Sequence, residues 1–170
     1  MMNVHELLEK VIAANSQLWS RANPDFTHAG AFIALNGSDS PIGGMFEIEH
    51  DDSLRDVVAN MGLLFQAKKI QRYATSNMAI HKDTGEEAVM FCAADVDGTK
   101  LCKVRSITRT EDSVSLGPVI DEKEGSIFCE LLSMPKAPDE VIESVTEALD
   151  AHIIDQVSRE FYGGQKPVLH

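Results

Sequence analysis

Long apolar runs are absent from this chain of 170 residues. No stretch approaches the roughly 18 to 20 consecutive apolar residues that a membrane-spanning helix requires. The opening "MMNVHELLEKVIAA" carries acidic residues where a secretory leader would be basic, so an unexported, cytoplasmic protein is expected. Basic charge is scarce as well: 15 Lys and Arg stand against 27 Asp and Glu, a net charge of −12. Such a chain repels nucleic-acid phosphates and favours solubility or a basic partner. Aromatic residues make up 6% of the chain, and none interleave with the basic clusters Lys68, Lys69, Arg72 and Lys100, Lys103, Arg105, Arg109. Those clusters therefore read as solvated faces, and neither nucleic acid nor membrane is expected as a partner.

Catalytic and metal-binding grammar is also thin. Cys92, Cys102 and Cys129 are odd in number, follow no C-x-x-C spacing and lie in apolar, strand-like surroundings, which suits reduced thiols packed as small hydrophobes. His5, His28 and His81 fall in turns or on a polar face without the H-x-H, H-x-E or H-E-x-x-H spacings of zinc sites. "GSDSPIGG" lacks the Lys-Ser/Thr of a phosphate-cradling loop and precedes a strand, and no G-x-S-x-G elbow is present.

What is present is the composition of an ordinary globular domain, 44% apolar and 25% charged, long enough to bury a core without staples. Residues 1–162 are expected to form one domain and 163–170 a loose tail. Val4, Leu7, Leu8, Val11, Ile12, Leu18 and Trp19 recur at helical spacing behind a capping Asn3, predicting a helix from 4 to about 20. "HAGAFIALN" and "GGMFEIEH" flank the turn-rich "GSDSP" as two strands. Ser53 and Asp56 form a weak capping box for a second helix running to about Ile70, in whose interior Gly62 would permit a close approach to the sheet. "RYATSNMAI", "EAVMFCAADV" and "TKLCKVRSIT" read as a strand meander, and "SVSLG" and "SIFCELL" as further strands around an exposed "PVIDEKEG" loop. Val141 through Val157 trace a third helix, with His152 on its apolar face.

Short connections demand antiparallel pairing, so the predicted class is α+β: an antiparallel β-sheet meander flanked by about three α-helices. This order of elements resembles that of roadblock/longin-type domains, whose members are mainly dimeric adaptors and regulators; two extra strands would be accommodated here. The stretch from "RYATSNMAIHKDTGEEAVMFCAADVDG" to "RSITR" is similar to a loosely defined set of uncharacterised bacterial and phage small proteins. Small acidic secretion-type chaperones, dimeric and able to bind extended segments, are a further comparison, although they place three strands before the second helix where two are counted here.

"MFCAADVDGTKL" resembles the first motif of the haloacid dehalogenase superfamily. That resemblance implies Asp95 as the nucleophile on phosphorus, Asp97 as general acid/base and a bridging Mg²⁺. The partners that chemistry requires, a parallel sheet, a downstream Lys and a late acidic pair, do not follow in the chain. Asp97-Gly98 between two alternating apolar runs instead signals a two-residue hairpin turn. In that register Asp95 opposes Lys100, Ala93 opposes Cys102 and Phe91 opposes Val104, which sets Cys92 and Cys102 on opposite faces. The hairpin is then apolar on both sides. Because one helix layer covers only one face, Met90, Cys92, Leu101 and Ile107, together with His152, become interface candidates. In "EIEHDD", His50, Asp51 and Asp52 offer metal ligands, set against an acidic edge leading into a helix whose N-terminal dipole welcomes both aspartates.

The expected function is a non-enzymatic protein-binding or regulatory module, acidic and homodimeric, without a cofactor. A Mg²⁺-dependent phosphatase using Asp95 and Asp97, and an acidic chaperone or phage inhibitor protein, are the alternatives.

Overall fold

A computed structural model describes residues 1–48, 51–81, 83–144, 146 and 147. Its first helix, α1 (Val4–Ser20), starts where the cap predicts. The Glu6 amide donates to Asn3 Oδ1 at 2.9 Å, and the Asn3 amide donates back to Glu6 Oε2 at 2.8 Å, so two otherwise orphaned N–H groups are satisfied reciprocally. Strands β1 (Gly30–Asn36) and β2 (Pro41–Phe46) form the first hairpin, and β2 ends before the predicted alternation reaches Ile48. Helix α2 (Asp51–Ala67) begins two residues ahead of Ser53 and stops short of Ile70. Lys69 adopts a left-handed φ of 54°, and Ile70 already opens β3 (Ile70–Ile80).

The meander continues through β4 (Glu87–Asp95), β5 (Lys100–Arg109), β6 (Val114–Leu116) and β7 (Ile120–Asp121). Strand order is β2-β1-β3-β4-β5-β6, with β7 also pairing β5, and every pairing is antiparallel. A third helix begins at residue 139. Among the described residues the fold is thus α+β, with three helices and a seven-stranded antiparallel sheet. No described helix is long and apolar enough to cross a membrane.

Alternate residues of the central strands enter two separate cores. Leu35, Ala74, Val89, Phe91, Ala93 and Ile107 pack under α1, against Leu7, Leu8, Ile12 and Trp19. On the opposite face, Phe32, Ala34, Tyr73, Cys92 and Ala94 meet α2, through Val58, Met61, Leu64 and Phe65, and also Phe128, Cys129 and Leu131. The residues that complete this second face belong to "SIFCELL", which is not a strand. It forms a 3-10 turn, Ile127–Cys129, capped by Ser126. Phe128, Cys129 and Leu131 are buried while Ile127 and Glu130 face out, a spacing that fits a tight helical turn and not the two-residue period of a strand. The predicted loop "PVIDEKEG" contains β7 instead. Gly62 permits close approach not of the sheet but of the chain just beyond the 3-10 turn: a Cβ there would run into the Met134 sulfur.

The β4–β5 hairpin corrects the predicted register. The Asp95 amide donates to the Thr99 carbonyl at 3.1 Å and the Gly98 amide to the Asp95 carbonyl at 3.3 Å, so the loop has three residues, Val96, Asp97 and Gly98. Gly98 closes it at φ 98°, a conformation that disfavours a side chain. The Asp95 carboxylate accepts from the Asp97 and Thr99 amides, each at 3.0 Å, which favours the longer turn over the two-residue one. Cys92 therefore opposes Cys102, Phe91 opposes Lys103 and Met90 opposes Val104. A slip of one residue exchanges the faces of one strand relative to the other, so Cys92 and Cys102 share a face, contrary to expectation.

Candidate functional site

The basic residues expected on a solvated face are largely committed within the chain. Arg109 grips Glu87 with two N–H donors, at 2.7 and 3.2 Å, donates to the Pro24 carbonyl at 2.7 Å and lies over the Trp19 ring. Arg105 donates to Ser16 Oγ of α1 and to the Gly117 carbonyl, both at 2.7 Å. Arg72 is buried and pairs with Asp39, while Lys100 pairs with Glu130. These contacts tie α1 and the loops to the sheet.

Helix α1 lies over β3 and β4 and reaches β6. Past its flank, over β1 and β2, the same face of the sheet opens into an apolar groove of about 520 Å³, lined by Val11, Ala14 and Leu18 of α1 and by Ala31, Ile33 and Met45 of the strands. Ala14 is exposed and Leu18 is 47% exposed, so the helix flank presents apolar surface. Neighbouring strands are spaced about 4.8 Å apart, so two strands left open among the described residues offer roughly one helix width. Asn15, only 6% exposed, also lines the groove. Its amide nitrogen donates to His28 Nε2 at 3.3 Å, an orientation consistent with His28 Nδ1–H donating to the Ala29 carbonyl at 2.8 Å. Its Oδ1 has no partner among the described residues, leaving a buried acceptor beside an apolar wall.

On the other face the structure gathers three thiols that lie far apart in the chain. Cys92 of β4, Cys102 of β5 and Cys129 of the 3-10 turn have sulfurs all within 4.8 Å of one another, and Cys92 Sγ is 3.8 Å from Cys102 Sγ. Burial reaches 0% exposure at Cys92 and 4% at Cys129, whereas Cys102 is half-buried. The hydroxyl of buried Tyr73 holds the third cysteine from both sides: it donates to the Phe128 carbonyl and accepts from the Leu131 amide at 3.3 Å. Hydrogen bonds from the Cys102 and Cys92 thiols draw Cys129 well below the usual thiol range. The bond to Cys129 pushes Cys102 up, and hydrogen bonding to its two neighbours together with burial pushes Cys92 up. The Cys129 sulfur also faces the Leu101 carbonyl at 3.5 Å, as a thiol donor would. Among the described residues this is the one group with the proximity a metal ion would need.

Asp95, Asp97, Met90, Cys92, Leu101 and Ile107, proposed from sequence, do not converge on one site. Asp95 and Asp97 belong to the hairpin loop, Asp95 as its organising acceptor and Asp97 exposed. Met90 and Cys92 belong to the core under α2, Leu101 and Ile107 to the core under α1, so the four share no surface. His50 and His152 lie outside the described residues; Asp51 and Asp52 open α2, and their side chains also lie outside the description. The groove was missed because its walls, at Ala14, Ala31 and Met45, look in sequence like ordinary core positions. The thiol cluster was missed because it depends on the hairpin register and on a turn 27 residues beyond Cys102. A scan against protein-family models and searches of curated proteins and of solved structures found no match.

Proposed function

We propose that this chain is a non-enzymatic protein-binding module whose groove between α1 and strands β1 and β2 receives an amphipathic helix of a partner protein with a basic outer face. The observation that carries this reading is an apolar strip beside α1, about one helix wide, that none of the described residues covers. Apolar residues at helical spacing would fill it against Val11, Ala14 and Ile33, and a donor at the centre of such a helix would meet Asn15 Oδ1. The net charge of −12 attracts a cationic segment to the chain as a whole, while Lys10 is the charged residue lining the groove itself, so the basic face of such a helix must point outward. Both faces of the β4–β5 hairpin join the chain's own cores, so the groove, not the hairpin, is the surface this reading uses.

The test is fluorescence anisotropy with a labelled Leu/Lys amphipathic helical peptide at physiological salt. Binding should be saturable, at least about tenfold weaker for a scrambled peptide of the same composition, and lost in Ala14→Trp, which fills the groove from an exposed position. Equal binding of the scrambled peptide, or undiminished binding by Ala14→Trp, would show charge attraction alone and refute the proposal. Light scattering that finds a dimer dissociated by Ala14→Trp would assign the groove to a second copy instead.

A further inference from the structure

We propose that Cys92, Cys102 and Cys129 form a three-thiolate binding site for a soft divalent cation of the zinc class. The argument starts from spacing. A metal with bonds of about 2.3 Å to sulfur holds its thiolates roughly 3.8 to 4.0 Å apart in tetrahedral or trigonal geometry. Cys92 and Cys102 already stand at 3.8 Å, and no sulfur pair exceeds 4.8 Å, so closure requires movements of less than about 1 Å, within rotation of a cysteine side chain.

Packing alone does not call for this convergence. Cys92 and Cys102 are directly opposed on β4 and β5, and Cys129 arrives from a turn held at both flanks by one buried tyrosine hydroxyl, so each sulfur stands on a separately fixed piece of backbone. Pre-placement of ligands on rigid elements is what a metal site needs. A disulfide between Cys92 and Cys102 would use two of the sulfurs and leave the third pressed against the bridge.

The ligand set and the charge select the ion. Thiolates favour soft cations over magnesium or calcium, and no carboxylate or histidine joins the group among the described residues. Three thiolates around a divalent ion leave one net negative charge, smaller than with a monovalent ion; the nearby Lys100 ammonium is itself paired with Glu130. A monovalent ion would leave two negative charges in a largely buried place, which is costlier. Cys102, half-buried where its partners are buried, marks the side from which a water would complete the coordination as fourth ligand. Binding displaces the thiol protons into solvent, so uptake should strengthen as pH rises.

The test uses the full chain, reduced and freed of metal without oxygen, titrated separately with Cd²⁺ and Co²⁺. One equivalent should bind, with thiolate-to-metal charge-transfer absorption, a mass increase of one ion less the displaced protons in native mass spectrometry, and a higher melting temperature. Cys92→Ser, Cys102→Ser and Cys129→Ser should each weaken binding on the order of 100-fold or more, beyond the loss typical of outer-shell changes. The mass and absorption measurements on the unaltered chain stand even if a serine variant fails to fold. Absence of charge transfer and of the mass increase would overturn the proposal, as would binding that survives replacement of all three cysteines. A Cys92–Cys102 disulfide in the isolated protein, with no metal uptake after its reduction, would overturn it in favour of a redox pair.

Discussion

The two faces of the sheet solve the same problem with different means. Under α1, one continuous capped helix lays aliphatic side chains and Trp19 over β3 and β4, and two arginines lash it and the following loop to the strands. On the opposite face the cover is assembled from pieces: α2 over one part, and the irregular segment around Phe128 and Leu131 over the rest, pinned by Tyr73. The helical cover is one local unit that leaves a groove at its side. The pieced cover closes more of its face, and in doing so brings a third cysteine to the two that the hairpin supplies. Regular structure thus left a groove at its side, and irregular structure brought three cysteines together.

Breaking either core should have the largest effect. Phe91→Ala under α1 and Phe65→Ala under α2 should each cost about 3–5 kcal/mol in chemical denaturation, since both rings are fully buried. The two side chains belong to separate clusters, so the double variant should lose the sum to within about 0.5 kcal/mol. A clear departure from additivity would show that the faces are coupled through the sheet.

Tyr73→Phe tests the pieced cover. It strands the Phe128 carbonyl and the Leu131 amide and should cost about 2 kcal/mol, with faster hydrogen exchange confined to residues 126–134. It also carries a pH signature. Burial raises the Tyr73 hydroxyl above its ordinary value of 10.0, so the folded chain keeps a proton that the unfolded chain releases. Stability is therefore unaffected below that pH and falls above it, by about 1.4 kcal/mol per pH unit for this one group, until the folded form ionises too. Denaturation curves between neutral and strongly alkaline pH should show a decline that is one proton shallower in Tyr73→Phe.

Arg109→Met probes the lashing of the other face. Losing the forked contact to Glu87 and the bond to Pro24 should cost about 1.5 kcal/mol and loosen residues 21–28, measurable as increased proteolysis of that loop with the α2-side core unchanged. The smallest effect belongs to a position on neither face. Gly98→Ala should cost about 1 kcal/mol because φ 98° is unfavourable for alanine, and thermal melting would register it.

Much of the fold was legible. The Asn3 cap and the apolar stripe behind it define α1 in isolation, and alternation along "RYATSNMAI" and "EAVMFCAADV" identifies β3 and β4, because these are local patterns with a period of their own. The limits lie where neighbours compete. "SIFCELL" has strand-like composition, but its buried positions 128, 129 and 131 are set by the surface they cover. Asp97-Gly98 was correctly read as a hairpin turn, and its length depended on how the Asp95 carboxylate satisfied two amides, a choice between turns of similar cost.

By itself, then, the sequence determined the class of fold, the first helix with its cap, the strands with clear alternation and the place of the central turn, since each follows from contacts among residues close in the chain. Only the tertiary structure decided the register of β4 against β5, the groove beside α1 and the meeting of Cys92, Cys102 and Cys129. Those depend on how elements distant in sequence are spaced and rotated, and one residue of slip is enough to send a side chain to the other face of the sheet.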